Sequence, residues 1–88
     1  MNSSKKTIEE YIESGKFYFI NEKYDFAIRE FKEALKIDRE NTDVLYSMGV
    51  AYESANKLDE ARDTYLKTLE IDPDHKLAKE HLDKMIEK

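Results

Sequence analysis

Residues 8–41 read IEEYIESGKFYFINEKYDFAIREFKEALKIDREN, and residues 42–75 read TDVLYSMGVAYESANKLDEARDTYLKTLEIDPDH. Laid over one another at a shift of 34, they place Gly15 on Gly49, Tyr18 on Tyr52, Lys23 on Lys57 and Asp25 on Asp59. They also place Ala27 on Ala61, Leu35 on Leu69, Ile37 on Ile71 and Asp38 on Asp72, with Phe31 over Tyr65 and Tyr11 over Leu45. The matches fall on the small and aromatic residues that set how two helices pack. A repeat of this length is one supersecondary unit that buries its apolar face only by stacking on neighbours.

The apolar residues within each stretch recur at helical spacing. Tyr11, Gly15 and Tyr18 form an i, i+4, i+7 stripe, repeated by Leu45, Gly49 and Tyr52. Ala27, Phe31 and Ala34 or Leu35 form the facing stripe, repeated by Ala61, Tyr65 and Thr68 or Leu69. A glycine opposite an alanine is expected to bring the two backbones close, with the aromatics filling the flanks. Asn21-Glu22-Lys23-Tyr24 and Ala55-Asn56-Lys57-Leu58 mark tight turns, and Thr7 with Glu10 forms a capping-box pattern. The spacing predicts helices near 7–21, 24–37, 42–55, 58–71 and 74–87.

The order Tyr11…Gly15-x-x-Tyr18…Ala27…Phe31…Ala34, then Leu45…Met48-Gly49-x-x-Tyr52…Ala61…Tyr65…Pro73, resembles the tetratricopeptide repeat. The resemblance covers residues 8–75, departing from the family pattern at Ser14, Arg39 and Thr68. It implies an all-α, right-handed helical-hairpin solenoid in a single domain. Repeat one is expected over about 8–41, repeat two over about 42–75, and a capping helix over about 74–87.

A second stripe on each first helix should face the preceding repeat. In repeat two it is Val44, Met48, Ala51 and Ala55, all apolar; in repeat one it is Glu10, Ser14, Phe17 and Asn21. Repeat one is therefore expected to start the array. The last helix carries Ala78, Leu82 and Met85 toward repeat two and Lys79, Glu80, Asp83, Lys84 and Glu87 on its far side, the pattern of a solubilising cap. Phe17 does not fit a polar starting face. Within the apolar run 17–20, Phe17, Phe19 and Ile20 are candidates for self-association, or for partial cover by the N-terminal segment.

The third stripe lines the inner curve. Ile12, Lys16, Phe19, Tyr46, Val50, Glu53 and Leu77 fall there, forming an apolar floor with charged margins. They point to a concave groove for a peptide or a partner helix, with Tyr46 and Phe19 as aromatic anchors. Some members of the resembled family grip a C-terminal carboxylate with basic and amide side chains. At those positions this chain has Ile12, Ser47, Leu77 and His81, with Lys16 alone as a donor, so that mode is disfavoured.

Composition narrows the function class. The 88 residues include 40 % charged side chains, 15 basic and 20 acidic, for a net charge of −5. The bases alternate with the acids instead of forming a stripe, which argues against nucleic acid as partner. There is no cysteine, hence neither disulfide nor thiolate metal site, as suits a cytoplasmic protein. No apolar run is long enough to span a bilayer, so no membrane partner is expected.

His75 and His81 lack the spacing of a metal pair and are expected to be solvated. No phosphate loop, nucleophile elbow or calcium loop is present, so no cofactor, metal or enzymatic activity is expected. The reading is a non-catalytic protein–protein interaction module, a scaffold or adaptor. The alternatives are a self-associating structural module using the 17–20 edge, and an engineered or model repeat protein without a biological ligand. The low identity between the repeats argues against a consensus design.

Overall fold

A computed structural model describes residues 6–86. Residues 1–5, expected to cover part of Phe17, and Glu87, expected on the charged side of the last helix, lie outside the described residues. Five helices follow one another, α1 (Ile8–Ile20), α2 (Tyr24–Ile37), α3 (Thr42–Ser54), α4 (Leu58–Ile71) and α5 (Lys76–Ile86), and no strand occurs among the described residues. Each helix packs mainly on the next: α1 on α2, α2 on α3, α3 on α4 and α4 on α5.

The helix starts follow from side chains. Thr7 Oγ1 accepts from the Glu10 N–H at 3.2 Å, and the Glu10 carboxylate accepts from the Thr7 N–H at 2.8 Å, a complete capping box. Asn41 Oδ1 accepts from the Val44 N–H to start α3. The helices α2 and α4 have no side-chain cap. Their starts are set by the preceding turns, in which Glu22 (φ 61°) and Asn56 (φ 62°) adopt the left-handed conformation. The Lys23 and Lys57 N–H groups then close on the carbonyls of Tyr18 and Tyr52, both at 2.8 Å. Asparagine tolerates that conformation better than glutamate, so the first turn carries more strain.

The start of α5 falls later than the sequence pattern predicts. Pro73 and Asp74 form a turn, and the His75 ring caps the helix, its Nδ1 accepting from the Ala78 N–H at 3.2 Å.

One apolar cluster joins α2 to α3 through Ala27, Ile28, Phe31, Ala34, Val44, Leu45, Met48 and Ala51, with Tyr11 and Tyr18 of α1 against it. A second joins α4 to α5 through Ala61, Tyr65, Ala78 and Leu82. Thr68 is fully buried, and its hydroxyl donates to the Thr64 carbonyl at 2.9 Å, so the polar group is not left unpaired.

The glycines make room for buried rings. The nearest neighbours of a methyl group at Gly49 would be Tyr65 ring atoms, starting with Cε1 at 2.6 Å, and a methyl at Gly15 would meet the Phe31 ring in the same way. Each glycine therefore seats an aromatic ring of the following helix, Phe31 at Gly15 and Tyr65 at Gly49. Phe31 is 2 % exposed and Tyr65 0 %, so neither ring has free space to retreat into.

Candidate functional site

The cleft between α1 and α3 is lined by Lys16, Phe19, Ile20, Phe31, Tyr46, Ser47 and Val50, and encloses about 290 Å³. Phe19 reaches it from the last turn of α1, its ring 5.5 Å from that of Tyr24 and its side against the first cluster. Tyr46 and Val50, one turn apart on α3, have one side on the second cluster and the other on the cleft. Phe31 shows only the edge of a buried ring. Lys16 is the single charged lining residue, exposed and without an ion pair among the described residues.

Four of the seven residues read from the sequence, Lys16, Phe19, Tyr46 and Val50, thus meet at one cleft. Ile12 is half-buried against the first cluster and does not line it. Leu77 is 51 % exposed on the first turn of α5, also outside it. Glu53 belongs to a second depression with Leu58, Arg62, Lys84, Met85 and Ile86. Of the apolar edge residues, Phe17 and Ile20 are largely exposed, whereas Phe19 is half-buried.

Behind Tyr46 lies a polar cluster that helical periodicity alone does not announce. Glu53 Oε1 accepts from the Tyr65 hydroxyl at 2.7 Å and lies 2.9 Å from His81 Nδ1. A carboxylate can only accept, so the hydrogen sits on Nδ1. In the neutral ring Nε2 is then an acceptor, and the Tyr46 hydroxyl at 3.1 Å donates to it. The rings also pack together: Tyr46 lies 5.1 Å from His75 and 6.0 Å from Tyr65, both tilted, and edge-on to His81 at 5.6 Å. His75 and His81 were expected in solvent. Both instead contact Tyr46, because His75 stands before α5 starts and His81 faces α3 from its second turn. The spacing of 35 between Tyr46 and His81 is one repeat plus one residue, a signal that would have placed them side by side.

Partial burial of Glu53 works to raise its pKa. The hydrogen bonds from Tyr65 and His81, with the charges of His81 and Lys84, outweigh burial and hold the carboxyl below its ordinary 4.5. Burial, followed by the hydrogen bond to Glu53, pushes the Tyr65 hydroxyl far above the usual tyrosine range. A carboxyl with a lowered folded-state pKa stabilises the fold fully above its unfolded value, and that contribution is lost as pH falls through the folded value. Glu53→Gln should therefore lower stability at neutral pH and show a smaller further loss than the native chain below about pH 4.5. Urea midpoints of both proteins from neutral pH to about pH 3 measure this; parallel curves would remove Glu53 from the account.

Among the described residues, no group of three or more His, Cys, Asp or Glu could hold a metal ion, and no helix is long and apolar enough to cross a membrane.

A sequence profile described as tetratricopeptide repeat matches residues 18–84. Of curated proteins, the probable UDP-N-acetylglucosamine–peptide N-acetylglucosaminyltransferase SPINDLY of Solanum lycopersicum is 32 % identical over 82 residues, 93 % of this chain and 9 % of that protein. Its namesake in Petunia hybrida is 39 % identical over 56 residues, 64 % of this chain and 6 % of that protein. Sperm-associated antigen 1 of Mus musculus is 34 % identical over 61 residues, 69 % of this chain and 7 % of that protein. The chain spans less than a tenth of the length of these relatives. A crystal structure of MamA matches with a TM-score of 0.83 at 26 % identity, covering 86 % of this chain and 44 % of that one.

Proposed function

Because the chain belongs to the tetratricopeptide repeat family, we propose that it is a non-catalytic protein-interaction module whose α1–α3 cleft receives an apolar side chain of a peptide or partner helix. The observation that carries this reading is the lining itself. Phe19, Ile20, Tyr46 and Val50 converge on a concavity of about 290 Å³, enough for one large side chain, with Lys16 as the only charge. Aromatic residues held by packing on one side and open on the other lose little conformational freedom on binding.

The Tyr46–His81–Glu53 array does not argue for catalysis. Both His81 ring nitrogens and the Glu53 Oε1 atom are engaged within the cluster, and none of their hydrogen bonds reaches Ser47 or Lys16 of the cleft. The transferase activity in the name of SPINDLY belongs to proteins more than ten times the length of the matched stretch.

Replacing both Tyr46 and Val50 by alanine should leave far-UV helicity near native while weakening binding of a captured partner by ~100-fold, as for loss of two interface anchors. The comparison is made by titration with the partner identified from the native chain. Equal affinity would place the binding surface elsewhere on the molecule.

A further inference from the structure

Tyr46 lines the cleft, yet its ring is surrounded by groups that do not. The His75 ring is tilted against it by 33° and the Tyr65 ring by 38°, while the His81 ring stands nearly perpendicular at 79°. Its hydroxyl donates to His81 Nε2 at 3.1 Å. Neither histidine lines the cleft, and no residue of α5 does.

Both histidines are themselves held from behind. His75 Nδ1 accepts from the Ala78 N–H at 3.2 Å, which ties that ring to the first turn of α5. His81 Nδ1 donates to Glu53 Oε1 at 2.9 Å, and the same oxygen accepts from the Tyr65 hydroxyl at 2.7 Å. Tyr65 is fully buried, so the chain of bonds from Tyr65 through Glu53 and His81 to Tyr46 starts from a fixed point. Cover for the second cluster comes from Ala78, Leu82 and Met85. His81 adds to that cover a polar link running back to α3.

We infer that His81 is a positioning residue for the cleft. Through its bond to the Tyr46 hydroxyl it holds the α3 wall in one rotamer, so that α5 sets the affinity of a surface it does not line. This rests on the cleft being the binding surface. A tyrosine packed along its ring but free at its tip has more rotamers open to it, and a rotamer fixed beforehand costs nothing further on binding. The affinity at stake is that of ordering one aromatic side chain, ~5- to 10-fold in dissociation constant.

The test uses blocked peptides selected from a random library on the native full chain, keeping as probes those whose binding is lost when Tyr46→Ala and Val50→Ala are combined. Tyr46→Phe, which keeps the ring and removes its donor, should raise the dissociation constant ~5- to 10-fold. Two amides then separate positioning from support. In His81→Gln the amide stands where Nε2 stood, and its oxygen can accept from Tyr46; in His81→Asn it stands where Nδ1 stood and serves only Glu53. His81→Gln should bind the probes within ~2-fold of the native chain, and His81→Asn should match Tyr46→Phe. Tyr46→Phe combined with His81→Asn should bind no more weakly than either alone, since both remove the same bond. A histidine that only held the fold together would lower the urea midpoint when replaced but leave the affinity of the folded chain unaltered, as Ile28→Val in the first cluster should do. Native affinity in His81→Asn, His81→Gln binding no better than His81→Asn, or additive losses in the double variant would overturn the inference while leaving the cleft as the site. A library yielding no probe that depends on Tyr46 and Val50 would remove the cleft itself, and this inference with it.

Discussion

Alanine in place of Gly15 or Gly49 should destabilise the protein, although alanine in place of glycine ordinarily strengthens a helix by ~1 kcal/mol. The sign reverses because the added methyl group would meet a buried ring, at 2.6 Å from Tyr65 Cε1 in the case of Gly49. Forcing an extra carbon into a packed core costs ~1–3 kcal/mol, which exceeds the propensity gain over most of that range. A smaller partner should relieve the clash: Gly49→Ala combined with Tyr65→Leu should lose less than the sum of the single losses, the coupling expected of residues in direct contact. Urea denaturation followed by circular dichroism gives all four stabilities of the cycle. A gain in stability from Gly49→Ala alone would mean that the ring does not depend on the glycine.

The larger loss should come from the rings themselves. Phe31→Ala and Tyr65→Ala each empty a site that is 2 % or less exposed, and truncation of a buried aromatic costs ~3–5 kcal/mol. Domains of this size hold a few kcal/mol to spare, so either change should leave a large unfolded population at room temperature. Tyr65→Phe separates the ring from its hydroxyl. It keeps the packing against Gly49 but removes the donor to Glu53, and should cost ~1–2 kcal/mol. If Tyr65→Phe proved as damaging as Tyr65→Ala, the polar cluster, and not the ring on its glycine, would be the main support of the second hairpin.

Much of the architecture was legible in the residues because it depends on periodicity. The shift of 34 located both hairpins; α2 and α4 span the predicted residues, and the other helix ends differ from the prediction by at most two residues. The packing stripe of α3 was legible for the same reason: Val44, Met48 and Ala51 are buried, while Glu10 and Phe17, at the matching places on α1, are exposed. Periodicity gives the face on which a residue stands, not the atom it touches. Gly15 was correctly turned toward α2, but only coordinates show that the Phe31 ring lies directly over it.

The cleft was half legible. Lys16, Phe19, Tyr46 and Val50 come together as the inner stripe requires, whereas Ile12 leans into the core and Leu77 stands one helix away. Least legible was the cluster of Tyr46, Glu53, Tyr65 and His81. It draws on three helices, and the sequence put its members in different places: Tyr65 in the packing stripe, Tyr46 and Glu53 along the groove, and His81 in solvent. The His75 cap was hidden for another reason: it depends on α5 beginning after the Pro73–Asp74 turn.

Since each helix leans chiefly on the one before it, the order of assembly is written in the order of synthesis. Residues 8–37 already contain Gly15, Ala27 and Phe31, so the first hairpin can close while the remainder is still emerging, and α3 arrives at a finished surface. Short loops between partners keep the entropy of closure small and favour rapid folding. Tyr46 and Glu53 are the exception. They must wait for His81, made 35 and 28 residues later, so this wall of the cleft is completed only once α5 is in place.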